Sequence, residues 1–317
     1  MVVLENLARR VFITLSRSPF GTSLALGRSL LALGTVLTLS FSPAATFFHS
    51  SAPDTSAAVQ CMGIARMGLF CLVPEALLDP TRFVLIALCV PALIGFIPAL
   101  AAPLYFYAAF SLSNNSLGIE GGDQLSTNFA AVLVAICLFD RRIWAWRPRS
   151  SGRRQLAHVV PNILMIALLV QMAFLYFEAA MVKASHPLWS EGSALWFWTQ
   201  QSGFGVREEV QPLLLTVLSV AWISQSVTWG VVVLEGSMAV GIVFARSRNL
   251  RFSFIVLGVI FHSVIALLMG LVTFGIAMTA CLVIVLWRAG DAIPWPAYRG
   301  LSRVRQVGPV YEHSDAR

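Results

Sequence analysis

Charge is scarce in this chain, and lysine scarcer still. Asp, Glu, Lys and Arg make up 12% of 317 residues, about half the share of a soluble domain. One lysine, Lys183, stands among twenty-one arginines. No polar stretch is long enough for a separate soluble domain, so function has to sit in the apolar body or the loops between its segments. There is no CxxC, no His-rich tract and no paired metal-ligand spacing, which argues against a structural zinc; no metal is expected. No internal repeat is visible, whereas many transporters are built from one. No serine or cysteine nucleophile with a matching base is evident, so the chain does not read as a self-sufficient protease. The first apolar block lacks a small-residue cleavage pattern and predicts an anchor that is kept.

What fills the chain is apolar. Hydrophobic residues make up 57%, gathered in blocks near 20–41, 82–111, 124–139, 158–184, 213–245 and 252–287. A bilayer core needs roughly 20 apolar residues per helix, and backbone within lipid has to be helical. The fold class is therefore all-α, a polytopic membrane helix bundle. Arginine clusters set its parity: Arg9, Arg10 and Arg17; the six of 141–154; Arg246, Arg248 and Arg251; and Arg288, Arg299, Arg303 and Arg305. Placing all four on the cytoplasmic side makes 82–111, with Pro91, Pro98 and Pro103, cross twice. It makes 252–287 turn near Gly270. The block 213–245 crosses once, its part 213–224 lying in the interface or forming a tilted extension.

About eight transmembrane helices follow, with both termini cytoplasmic and outward segments near 48–81, 112–123 and 185–211. Residues 1–19 form a cytoplasmic segment, 20–287 the transmembrane domain and 288–317 a cytoplasmic tail. The formal charge of +7 then reports topology, and no nucleic acid is implied. Cys89, Cys137 and Cys281 lie in apolar spans. Cys61 and Cys71 share the first outward loop, where two readings stay open: a disulfide, if the loop faces an oxidising compartment, or two free thiols.

Ionisable groups inside a span are expensive and each is a candidate site. Arg28 either snorkels to the headgroups or serves a site. Glu235 and His262 each lie about ten residues from the loop 246–251 on adjacent antiparallel helices. They are candidates for a pair at one depth, either a proton-handling dyad or an interhelical hydrogen bond. Lys183 ends its apolar block, and Glu178, five positions earlier, is poorly spaced to share its face. The amine reads as a base or nucleophile if desolvated, or as an interface anchor. His186-Pro187, Trp189, Glu191-Gly192 and Trp196-Phe197-Trp198 form a following segment that is either a lid over an outward pocket or an aromatic anchor.

At these residues the chain resembles the HTTM superfamily, the membrane domain shared with vitamin K-dependent gamma-carboxylases. The signal is Lys183 followed by Trp189-Ser-Glu-Gly-Ser-Ala-Leu195, supported in order by Arg28, Asn114-Asn115, Gly121-Gly122-Asp123, Glu235 and His262. Within it the opening Ser18-Pro-Phe-Gly-Thr-Ser-Leu-Ala-Leu-Gly-Arg28 looks like the sporulation-delaying protein B (SdpB) family. That resemblance implies an HTTM-like domain in a bacterial plasma membrane. It implies work with an SdpA-like partner on a secreted precursor peptide that becomes a toxin or antimicrobial. By it Lys183, with Glu235 and His262, would be catalytic, and Trp189, Glu191, Gly192, Asp123, Asn115 and Arg28 would bind substrate. Two alternatives stand beside the maturation subunit: a stand-alone carboxylase-like enzyme using Lys183 as base, for which a quinone-type cofactor comes into question, and a transporter or immunity protein. The carboxylases' long lumenal region has no counterpart here.

Overall fold

The computed structural model describes residues 12, 15–48, 59–118, 120–147, 156–201 and 205–291. The flanking segments 1–19 and 288–317 fall mostly outside these, as do Arg9, Arg10, Arg149, Arg153, Arg154, Arg299, Arg303 and Arg305. Among the described residues the chain is helical and forms no strand; one isolated bridge joins Phe96 to Trp144. Eight long helices carry it: α1 Thr22–Phe41, α2 Leu78–Ile94, α3 Pro98–Asn115, α4 Gly121–Cys137, α5 Leu156–Ser185, α6 Ala221–Phe244, α7 Arg248–Met269 and α8 Val272–Leu286. Five spans are long and apolar enough to cross a membrane: α1, α2 together with the turn Glu75–Leu77 that leads into it, α5, α6 and α7.

The breaks fall where backbone chemistry puts them. The block 82–111 turns at Gly95, whose φ of 78° ends α2 in the left-handed conformation, and Pro98 opens α3 at a position that needs no N–H. Gly270, φ 76°, ends α7 in the same way. The block 213–245 is interrupted at Ser219 and Val220, leaving the eight-residue helix Gln211–Leu218 ahead of α6.

Helix α8 is the hub. It packs on α1, α4, α5 and α7, and every residue from Ala280 to Leu286 is buried. A helix apolar on all sides is stable only when enclosed like this. Close approach depends on glycine: a Cβ on Gly27 of α1 would lie 2.3 Å from Ile284, and one on Gly122 of α4 would lie 2.8 Å from the Phe274 Cα. Small residues at such crossings let helix backbones approach.

The bundle has two distinct ends. At one, His158 and Asn162 of α5 bond the backbone of 15–17, Ile97 N–H donates to Ile143, and Arg251 of α7 bonds Leu286 and Asp291. Arg17, Arg246, Arg248, Arg251 and Arg288 gather there, with the loop bearing Arg141, Arg142 and Arg147. The opposite, arginine-poor end holds the loop 59–77, tied by the Cys61–Cys71 disulfide. Arg82 sits near this end, buried, donating to Leu39 O in the last turn of α1 and to Ser42 O just past it, and pairing with Asp79. A cation on the last carbonyls of a helix meets their partial negative charge.

Candidate functional site

Helices α5 and α6, far apart in sequence, pack closely against each other. Small residues, Ala180 on α5 and Gly236 on α6, meet there. Into this seam Lys183 extends its amine, donating to both Glu235 carboxylate oxygens at 2.8 Å each. The Lys183 side chain keeps 25% of its surface open and that of Glu235 9%. Glu235 lies in the body of α6, well short of either end, so the pair sits in the helical wall. The amine turns into the seam between α5 and α6. Its second neighbour is the Trp189 ring, centred 5.4 Å from Nζ. That is cation–π geometry, strengthened where water is thin.

A short segment covers the pair. His186 starts the helix Pro187–Ser190, and Ala194–Trp198 follows. Trp189 is buried against Ala180, Ala194 and Val232. Gly192, φ 78°, makes the turn between the two helices, and its carbonyl accepts from Ser224 Oγ at 3.0 Å. A Cβ there would lie 2.8 Å from the Gln225 Cα. Gly192→Ala is therefore expected to push the segment off α6 and cost about 1–3 kcal/mol. Thermal unfolding of the purified protein checks this, with Ser224→Ala, which loses only one hydrogen bond, as the milder reference. Beside the segment lies a cavity of about 330 Å³ lined by Glu191, Gly192, Ser193, Trp196, Ser224 and Gln225.

Glu235 and His262 do not pair. Both carboxylate oxygens face Lys183, and the His262 Nδ1 engages the Gly258 carbonyl one turn back at 2.9 Å. Depth along two helices fixes no rotation about their axes: Glu235 points to α5, whereas His262 is enclosed by Phe261, Phe274 and Tyr176. Tyr176, buried on α5 two turns before Lys183, has its ring 6.1 Å from that of His262. Its hydroxyl has no hydrogen-bond partner among the described residues, and the same holds for the Thr228 hydroxyl on α6. Sequence reasoning passed over both, since a tyrosine or threonine in an apolar span carries no signal until helix rotation is known. Glu178 faces away from the seam on the exposed side of α5.

The remaining candidates lie elsewhere. Asn115 is fully buried at the end of α3 and spends its amide on Gln60 O, Ala65 O and the Cys71 Sγ, which anchors the disulfide loop. Asp123 lines a different cavity, about 510 Å³, with Glu120, Thr273 and Phe41. Arg28 is 3% exposed, too enclosed to snorkel. Both its terminal nitrogens lack hydrogen-bond partners among the described residues.

The chain is similar to two proteins of Bacillus subtilis. It is 27% identical over 302 residues to the uncharacterized protein YitO, covering 94% of this chain and 96% of that one. It is 27% identical over 274 residues to the sporulation-delaying protein SdpB, covering 85% of this chain and 82% of that one. No family model and no solved structure matches it.

Proposed function

We propose that this chain is the membrane-embedded subunit of a system that matures a secreted toxic or antimicrobial peptide, acting with an SdpA-like partner. The observation that carries the reading is the similarity to SdpB along 85% of the chain, joined to a charged, partly open site in the helical wall. In this reading all eight long helices span the plasma membrane, the arginine-rich end and both termini are cytoplasmic, and the arginine-poor end faces outward. The Cys61–Cys71 disulfide supports that side, because such bonds persist in oxidising surroundings. The region 20–287 is the HTTM-like domain.

Substrate enters from the outer side, against Glu191, Gly192 and the Trp189 segment. Lys183 is the group that acts on it. An amine bonded to both oxygens of a carboxylate offers a lone pair only after handing over a proton, and Glu235 is the acceptor in reach. Tyr176 and His262 lie ring to ring, 6.1 Å between centroids, between α5 and α7. Asp123, which lines the separate cavity with Glu120 and Thr273, is assigned to partner or precursor contacts; Arg28, buried in α1, is not. A second reading, a stand-alone enzyme with Lys183 as base on a quinol or peptide group, is favoured by the same pair and differs in needing no partner.

The test is mass spectrometry of the medium from cells expressing this chain with a candidate partner and precursor from neighbouring genes. Mature peptide is expected only when chain and partner are both present. Mature peptide without the partner selects the stand-alone reading; equal peptide without this chain overturns both.

A further inference from the structure

The arginine-rich end holds a cavity of about 530 Å³ between α1, α5 and α8 and the 246–251 turn. Its rim carries Arg17, Arg246, Arg248, Arg251 and Arg288. Arg251 is structural: its nitrogens are used on Leu286 O, Arg246 O and Asp291. Asp291 is the one carboxylate among the lining residues, and besides Arg251 it accepts from the Arg288 backbone N–H at 3.2 Å. Among the described residues, Arg17, Arg246, Arg248 and Arg288 have no ion-pair partner. Burial, and then the charge of Arg251, pull the Arg288 pKa below the usual arginine value despite the opposing charge of Asp291, so five guanidinium groups share one carboxylate among the lining residues.

The deeper wall is different. Leu24, Met165, Ile166, Leu169, Ile284 and Val285 line it, and Ile166 is 51% exposed on the outer side of α5. The cavity is therefore cationic at the level of the helix ends, apolar one to two turns deeper, and continuous with the surface α5 presents to the bilayer. A soluble anion uses only the first of these features. A phospholipid uses all three.

We propose that this cavity binds a phosphate-bearing anion, namely the headgroup of an anionic membrane lipid whose acyl chain lies along α5. Guanidinium groups suit phosphate oxygens by their forked geometry, and basic pockets between helix ends are a recurrent headgroup site. The site is separate from Lys183 and stands whether or not the peptide-maturation reading does.

The test is native mass spectrometry of the full-length purified protein titrated with phosphatidylglycerol or phosphatidylcholine of the same chain length. Phosphatidylglycerol is expected to bind more tightly. Arg246→Gln/Arg248→Gln is expected to weaken it by about thirtyfold, while Arg141→Gln/Arg147→Gln, which removes two charges from another loop at the same end, leaves it unchanged. Arg246 and Arg248 are exposed and the Arg246 contact to Arg251 is made by its backbone, so the first variant keeps its fold. Equal binding of the two lipids, or equal weakening by both variants, overturns the site. Inorganic phosphate displacing the lipid from the wild type at millimolar concentration overturns the lipid assignment and gives the arginines to a soluble phosphate compound.

Discussion

Lys183→Met, which removes the amine and keeps an unbranched side chain, is expected to lower the unfolding free energy by about 2–4 kcal/mol. Glu235→Leu is expected to cost less, and Lys183→Met/Glu235→Leu to regain most of the loss. The reason is asymmetry. Removing one member of an enclosed ion pair strands the other, whereas removing both eliminates the desolvation that the pair had to offset. Stranding Glu235 is the worse case, since its side chain is 9% exposed and that of Lys183 25%; the open quarter on lysine also places the cost toward the lower half of what a fully buried pair shows. A thermodynamic cycle of the four proteins in detergent measures the coupling. If the double variant is as unstable as the sum of the singles, the two residues are not coupled and the seam is held by packing alone.

Breaking the Cys61–Cys71 disulfide is expected to have the second large effect. The bond spans ten positions, for which chain-entropy reasoning gives about 3 kcal/mol. Arg66 lies exposed inside that loop, its Nε donating to Cys61 O. Cys61→Ser/Cys71→Ser should therefore raise the rate of tryptic cleavage after Arg66 on the order of a hundredfold, if cleavage follows the open population. Asn115 still grips Gln60 O and Ala65 O in that variant, so cleavage should rise further in Asn115→Leu combined with the cysteine changes. Unchanged cleavage would mean that the packing of Phe70 on Phe48 already fixes the loop.

Much of the architecture was legible in the sequence because local chemistry writes it there. Pro98 and Gly270 mark turns through backbone preference alone, whereas Pro91 and Pro103 lie inside helices and the turn itself falls at Gly95, which was not singled out; arginine clusters mark one end of the bundle. The segment 213–224 read as interfacial or as a tilted extension, and the chain breaks within it, at Ser219 and Val220. The candidate site was legible residue by residue and not as an arrangement. Lys183, Glu235 and Trp189 were all singled out, but Glu235 was assigned to the neighbour next in sequence. The real neighbour, α5, comes from how α6 rotates to bury Ser224, Thr228, Val232 and Glu235 on one face. Hydropathy in a lipid-exposed helix constrains rotation weakly, since lipid and protein core are both apolar. Asn115 and Asp123, named with the motif, lie at the end of α3 and the start of α4, away from the Lys183 seam. Arg82 escaped notice because it begins an apolar block, where an arginine reads as a flanking charge.

In the proposed function Lys183 and Glu235 form the working centre of the maturation site, a role separable from their effect on stability. The decisive measurement is the mass spectrum of secreted peptide from cells carrying Lys183→Met/Glu235→Leu with partner and precursor, at membrane abundance matched to wild type. The account predicts a folded protein and no mature peptide. Mature peptide at the wild-type level would contradict it, and would reduce the pair to a strut between α5 and α6.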